Sequence, residues 1–113
     1  MFAVVRRYTV KPGGARELAA RVEREFVPII KAVPGFVSYM YLEGGQEWGR
    51  DVLATVSVYS SRDGAEASVR AAAKWVADNL LEFEPSQPSV TAGEVVFALQ
   101  KDRDSSPEAS LTG

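Results

Sequence analysis

Two stretches of helical spacing, each set between runs of β-branched and aromatic residues, constrain this chain more than any other feature. Phe2 to Val10 (FAVVRRYTV) reads as a strand and stops at the turn signal KPGG. From Ala15 to Val33 apolar residues recur three or four apart, at Leu18, Val22, Phe26, Ile29, Ile30 and Val33. That spacing predicts a helix. Pro28 inside it predicts a kink or an early end, because proline cannot donate to the carbonyl of Arg24.

The segment PGFVSYMYLEGG, Pro34 to Gly45, predicts a second strand, and EGGQEWG (Glu43 to Gly49) a hairpin connection. The third strand, RDVLATVSVYS, carries Val52, Ala54, Val56 and Val58 on one face and Leu53, Thr55, Ser57 and Tyr59 on the other. Ser60 or Ser61 is a natural N-cap, and Asp63 suits a first helical turn. The second helix is predicted to run to about Leu81, with Ala65, Val69, Ala72, Val76 and Leu80 turned inward. After the loop EPSQPS, Val90 to Leu99 (VTAGEVVFAL) predicts the last strand. One domain is expected over residues 1–99, and residues 100–113, with little to bury, are expected to be a disordered tail.

The order β-α-β-β-α-β, with right-handed crossovers, puts both helices on one side of one sheet. This is an α+β, ferredoxin-like architecture: a four-stranded antiparallel sheet with two helices on one face. The second face should then be polar in a free monomer. In the second strand it is not, because Phe36, Met40 and Leu42 alternate with Val37, Tyr39 and Tyr41. Period-2 alternation does not say which set faces the helices. A second copy related by a two-fold axis covers such a face most simply, and two such sheets close into an eight-stranded dimeric α/β barrel with a cavity inside. A homodimer is expected.

Composition narrows the chemistry. The formal net charge is −2 and the pI about 5.2, so no basic field favours nucleic acid or anionic lipid. There is no cysteine and no histidine, which removes thiolate chemistry and the commonest general base and metal ligand. Glu43, Glu47 and Asp51 lack the spacing of a calcium loop and read as a solvated turn. KPGG lacks the length and ending of a phosphate loop. No metal and no cofactor is expected. No apolar run is long enough to span a membrane, and MFAVVRRYTV places its arginines after the apolar residues, the reverse of a secretory signal, so the expected location is cytoplasmic.

Seven residues stand out as candidate ligand contacts. Arg6 and Arg7 point to opposite faces, so one is directed inward, to meet an enolate or carboxylate or else to pair with one of the acidic residues. Tyr39, Tyr41 and Tyr59 suit an aromatic pocket, or interface packing with hydroxyls at its rim. Trp75 and Asn79 lie one turn apart on a helix face, suited to orienting a ligand or to core packing.

The stretches VRRYTVKPGGARELAARV, VPGFVSYMYLEGG, LATVSVYSSRDGAEAS and AGEVVFA together resemble the antibiotic-biosynthesis-monooxygenase-like family of the dimeric α/β-barrel superfamily, over roughly residues 1–99. The resemblance implies a homodimer and a cavity, inside the barrel or between sheet and helices, for a small planar aromatic or polyketide-like molecule. Two activities occur among such proteins: cofactor-free oxygenation, in which a proton is removed to give an electron-rich anion that reacts with oxygen, and haem degradation. The haem-degrading branch relies on an Asn in the first strand, a Trp early in the second helix and an axial His. This chain has Arg6 and Arg7 in that strand and no His, so haem cleavage is not expected. Two readings stay open: a cofactor-free monooxygenase-like protein, and a non-catalytic homodimer that binds a small molecule or accompanies a pathway. Nothing in the sequence marks a catalytic base.

Overall fold

The computed structural model describes residues 1–101 of the chain; the expected disorder of the tail falls almost wholly on residues outside that range. Four strands form one antiparallel sheet in the order β2-β3-β1-β4: β1 Phe2–Val10, β2 Phe36–Glu47, β3 Arg50–Tyr59 and β4 Ser89–Glu94. The helices are α1 Gly14–Arg21, a π-helical turn Val22–Phe26, α2 Val27–Lys31 and α3 Arg62–Asn79, followed by a short 3-10 turn Leu81–Phe83. The ferredoxin-like α+β architecture read from the sequence is the one observed.

The helices cover one face. On it lie Val4, Arg6, Tyr8 and Val10 of β1 and Leu53, Thr55, Ser57 and Tyr59 of β3, all buried. Strict alternation in β2 would group Phe36 with Met40 and Leu42, but the register shifts between Phe36 and Ser38. The bulge brings Phe36 opposite Tyr59, Tyr39 opposite Ser57 and Tyr41 opposite Thr55, so all three aromatics sit beneath the helices. Met40 and Leu42 therefore face outward, 60% and 43% exposed, beside Val5, Val56 and Val58. The open face of the sheet is apolar around Val5, Met40 and Leu42, with Arg7 and Thr9 further along β1, and it is the aliphatic set, not the aromatic one, that is left without cover.

Three elements depart from the sequence reading. The disturbance in the first helical segment is not centred on Pro28. The helix widens before it: the Val27 N–H bonds the carbonyl of Val22, five residues back, and a fresh α-turn then begins with Pro28 in its first turn, where a missing N–H costs nothing. Between β2 and β3 the connection is much shorter than Glu43–Gly49. Both strands run on through a second irregularity between Glu43 and Gln46 to a two-residue turn, Trp48–Gly49, with positive φ at both positions. The last strand stops at Glu94 instead of Leu99, because beyond Val95, whose N–H bonds the carbonyl of Met1, no neighbour among the described residues continues the ladder.

Two side chains fix how the helices dock. Asp51 of β3 accepts from the Ala15 N–H in the first turn of α1 at 3.2 Å and from Gln46 Nε2 at 2.9 Å, and these bonds hold its carboxyl below the ordinary carboxylate range. Ser61 caps α3, accepting from the Gly64 N–H at 3.1 Å. Gly64 passes so close to the loop before β2 that a Cβ there would lie 2.5 Å from the Pro34 carbonyl oxygen.

Trp48 sits at φ 55 and is 95% exposed, so within the protomer it takes on left-handed strain without packing in return. Trp48→Asn, the side chain such turns favour, is expected to raise the unfolding free energy by about 1 kcal/mol in denaturant titration. A lower midpoint would show that Trp48 makes stabilising contacts in solution.

Candidate functional site

The helix-facing side of the sheet carries polar groups where a simple core would be aliphatic. Arg6, Thr55, Ser57 and Ser68 are its buried polar residues. Arg6 is opposite Thr55 on β3, Tyr41 is opposite Thr55 on the other side, and Ser68 comes down from α3, donating to the Ala65 carbonyl at 2.7 Å. Two small adjoining cavities of about 20 Å³ each lie among them. Both are walled by Arg6, Phe26, Tyr39, Thr55 and Ala72; Trp75 closes one and Ser57 and Ser68 the other. Phe26, delivered by the π-helical turn, packs on Trp75 with ring centroids 5.2 Å apart and on Tyr39 at 6.1 Å.

Arg6 dominates the electrostatics. It is 8% exposed, its Nε has no hydrogen-bond partner among the described residues, and its guanidinium lies 5.9 Å from the Tyr8 ring centroid. The ion pairs among the described residues are made by other cations: Arg7 with Glu47, Arg16 with Glu43, Arg21 with Glu25 and Glu82, Arg24 with Glu25, and Lys74 with Asp78. Burial pushes the Arg6 guanidinium down from its ordinary pKa, an effect that Tyr8 and Tyr39 oppose. A cation taken out of water without a counter-charge is among the costliest features a core can carry.

The phenols around it stay protonated. Burial raises Tyr8 to about 12, against the pull of Arg6, and holds Tyr39 and Tyr41 well above the ordinary tyrosine value; a hydrogen bond with Thr55 offsets part of the shift at Tyr39. Tyr41 donates to the Ala15 carbonyl at 2.8 Å. Among the described residues no carboxylate walls the inner cavities.

A larger cleft of about 560 Å³ opens between the first helical layer and β2. It shares Val22 and Tyr39 with one inner cavity, and Tyr41, Arg16, Glu23 and Glu43 form its rim.

The structure thus brings Arg6, Tyr39 and Trp75 together at the cavity and places Tyr41 at its mouth. It separates the remaining candidates. Arg7 is on the open face, 2.6 Å from Glu47. Tyr59 is fully buried against Phe36 at one end of the core, its hydroxyl unpaired. Asn79 donates to the Trp75 carbonyl at 3.0 Å and lines an outer groove of about 370 Å³ with Ile29 and Lys74. The sequence reading passed over Tyr8, Thr55, Ser57 and Ser68. Their signal was there: Thr55 and Ser57 lie in one alternating set with Leu53 and Tyr59, polar residues on a strand face that is otherwise made for a core. No group of residues suited to holding a metal occurs among the described residues.

Fold and cavity together define a class: a ferredoxin-like α+β protein with a largely apolar pocket, carrying a few polar groups, buried between its sheet and its helices. The statistical model of the antibiotic biosynthesis monooxygenase family matches residues 1–75, and the chain belongs to that family. No curated protein matches the chain. Among solved structures, a dimeric ferredoxin-like protein from an uncultured marine organism is 13% identical with a TM-score of 0.67, over 87% of this chain and 97% of that one. A monooxygenase from the gene ActVA-Orf6 of Streptomyces coelicolor, in complex with nanaomycin D, is 18% identical with a TM-score of 0.64, over 89% and 92%. SnoaB of Streptomyces nogalater, a cofactor-independent oxygenase, is 19% identical with a TM-score of 0.60, over 88% and 97%. At these identities the likeness is one of fold.

The tyrosine shifts give a pH dependence. An unfolded chain ionises its phenols near pH 10. Folded phenols with raised pKa values contribute stability that is full below that point and lost as pH rises through the folded values, about 12 for Tyr8. Absorbance titration should show Tyr8, Tyr39 and Tyr41 still protonated past about pH 10 and released together with unfolding. Reversible titration of all three near pH 10, with the circular dichroism unchanged, would contradict the placement of these rings.

Proposed function

We propose that this protein is a homodimer that takes up a small planar aromatic or polyketide-like molecule and oxygenates it without a cofactor, with Arg6 as counter-charge to an anionic oxygen on the ligand. One observation carries the reading: a buried guanidinium with no acid beside it among the described residues, at the wall of a cavity. Such a charge is retained at a cost to folding, and an anionic ligand offsets that cost when it binds. Family membership, and the oxygenases whose fold this chain shares, support the reaction type.

The inner cavities have room for about one water molecule each, so an aromatic ring does not fit in them as they stand. The cleft does have room. A flat ligand stacked against Tyr39 and Tyr41 there reaches Arg6 by displacing the Val22–Tyr39 neck. Arg6 stabilises an enolate or phenolate and lowers the pKa of its parent acid, so that water suffices as base or the molecule enters already ionised.

A second reading, a non-catalytic homodimer that binds such a molecule, is favoured by the lack of any internal base: the nearby phenols are held protonated, and the carboxylates Glu23 and Glu43 stand only at the cleft's rim. Oxygen uptake with enolisable phenols separates the two. Both readings share one test. In a Trp48→Phe background, a phenolic ligand is expected to change Trp75 fluorescence, and Arg6→Met to weaken that binding by roughly tenfold or more. Arg6→Met is also expected to raise the unfolding free energy by about 1–3 kcal/mol, since it removes an unsatisfied buried group. A variant that is less stable and binds normally would refute the role of Arg6.

A further inference from the structure

Arg6 stands between two cavities, and only one of them serves the proposed organic ligand. The cavity that reaches Tyr8 and Trp75 carries Val22 and Tyr39, the neck to the outer cleft. The other reaches the opposite way along β1, to Val4, and is lined by Ser57 and Ser68 as well as Arg6. Val4 and Tyr8 lie two residues to either side of Arg6 on one strand face, so the two chambers meet the arginine from opposite ends. Val22 does not line the second chamber, which therefore lies off the route from the cleft.

The chemistry of this second chamber selects an occupant. Its wall is aliphatic at Val4, Ile30 and Val69, and no carboxylate among the described residues reaches it. Ser68 gives its proton to the Ala65 carbonyl. The Ser57 hydroxyl and the Arg6 Nε, which has no partner among the described residues, are the donors at hand. A neutral molecule would satisfy a hydrogen bond and leave the charge; an anion does both. About 20 Å³ admits one water-sized particle, so sulfate, phosphate and organic carboxylates are too large. Fluoride is small enough, but aliphatic walls replace little of its tightly held water. We propose that this chamber binds a single weakly hydrated monatomic anion, chloride or bromide, between Arg6 and Ser57. The site needs only the burial of Arg6 and stands apart from the proposed oxygenation. One guanidinium serves both chambers, so a bound halide weakens the pull on an anionic oxygen arriving through the neck, and the ligand weakens the halide equally.

The test is urea unfolding of the full chain, followed by circular dichroism, in sodium fluoride and with sodium bromide replacing it at constant ionic strength. The midpoint is expected to rise with the logarithm of bromide concentration once the site fills. General salt effects run the other way, because strongly hydrated anions favour burial more than weakly hydrated ones. Ser57→Ala is expected to raise the bromide concentration at which the rise sets in roughly fivefold or more, and Arg6→Met to abolish the rise. A flat or falling midpoint in the unaltered protein overturns the site, and so does a rise that Arg6→Met retains. Should either variant fail to fold, crystals grown in bromide decide by anomalous scattering. A peak in contact with Arg6 and Ser57 is expected, and no peak there overturns the site. Trp75 fluorescence with a phenolic ligand judges the proposed function separately. A protein that takes bromide and no phenol keeps the halide site and loses that reading; one that takes phenol and no bromide does the reverse.

Discussion

A sheet covered by helices on one side must dispose of two different faces, and in this protein the division is set by a single bulge. The shift between Phe36 and Ser38 gathers Phe36, Tyr39 and Tyr41 with Tyr8 and Tyr59 under the helices and leaves Met40 and Leu42 outside with Val5. Aromatic rings and polar groups go to the covered side, where a ligand can be enclosed. Aliphatic side chains go to the open side, where only shape and area matter. A one-residue slip in β2 would exchange the two sets, so the pocket and the apolar open face depend on the same local feature.

Much of this was legible in the sequence. The element order follows from spacing and punctuation, and the ferredoxin-like arrangement follows from the order with right-handed crossovers. What escaped were features decided by partners distant in sequence. No glycine or proline marks the bulge at Val37, so alternation grouped Phe36 with the wrong neighbours. Alternation also set Arg6 and Arg7 apart without saying which was inside; pairing to β3 and the helical cover decide that. Pro28 did signal a disturbed helix, but its effect appears one turn earlier, because widening at Val22–Phe26 lets the helix restart with the proline in its first turn. VVFAL has every property of a strand except a neighbour, and propensity alone does not report whether a neighbour exists.

The π-helical turn links the backbone to the site. It places Val22 and Phe26 on the same inward side, Val22 at the neck between cleft and cavity and Phe26 on Trp75 and Tyr39. A wide turn has poorer hydrogen-bond geometry than the α-helix around it and can convert at modest cost. The element that closes the cavity is thus the least regular part of the helical layer.

Arg6 and the exposed run Val95–Leu99 are instances of one principle at different scales. Each is a group whose placement in the isolated protomer is unfavourable: a cation without an anion, and an apolar strand without a sheet. Neither resembles a defect of packing, because both adjoin regular structure: Arg6 the Phe26, Tyr39 and Trp75 cluster, and the run Val95–Leu99 a strand that stays in register up to Val95. Unsatisfied groups in ordered surroundings mark where something else belongs. On the proposed reading the occupant at Arg6 is an anionic oxygen on a ligand that displaces Val22 and Tyr39 as it enters.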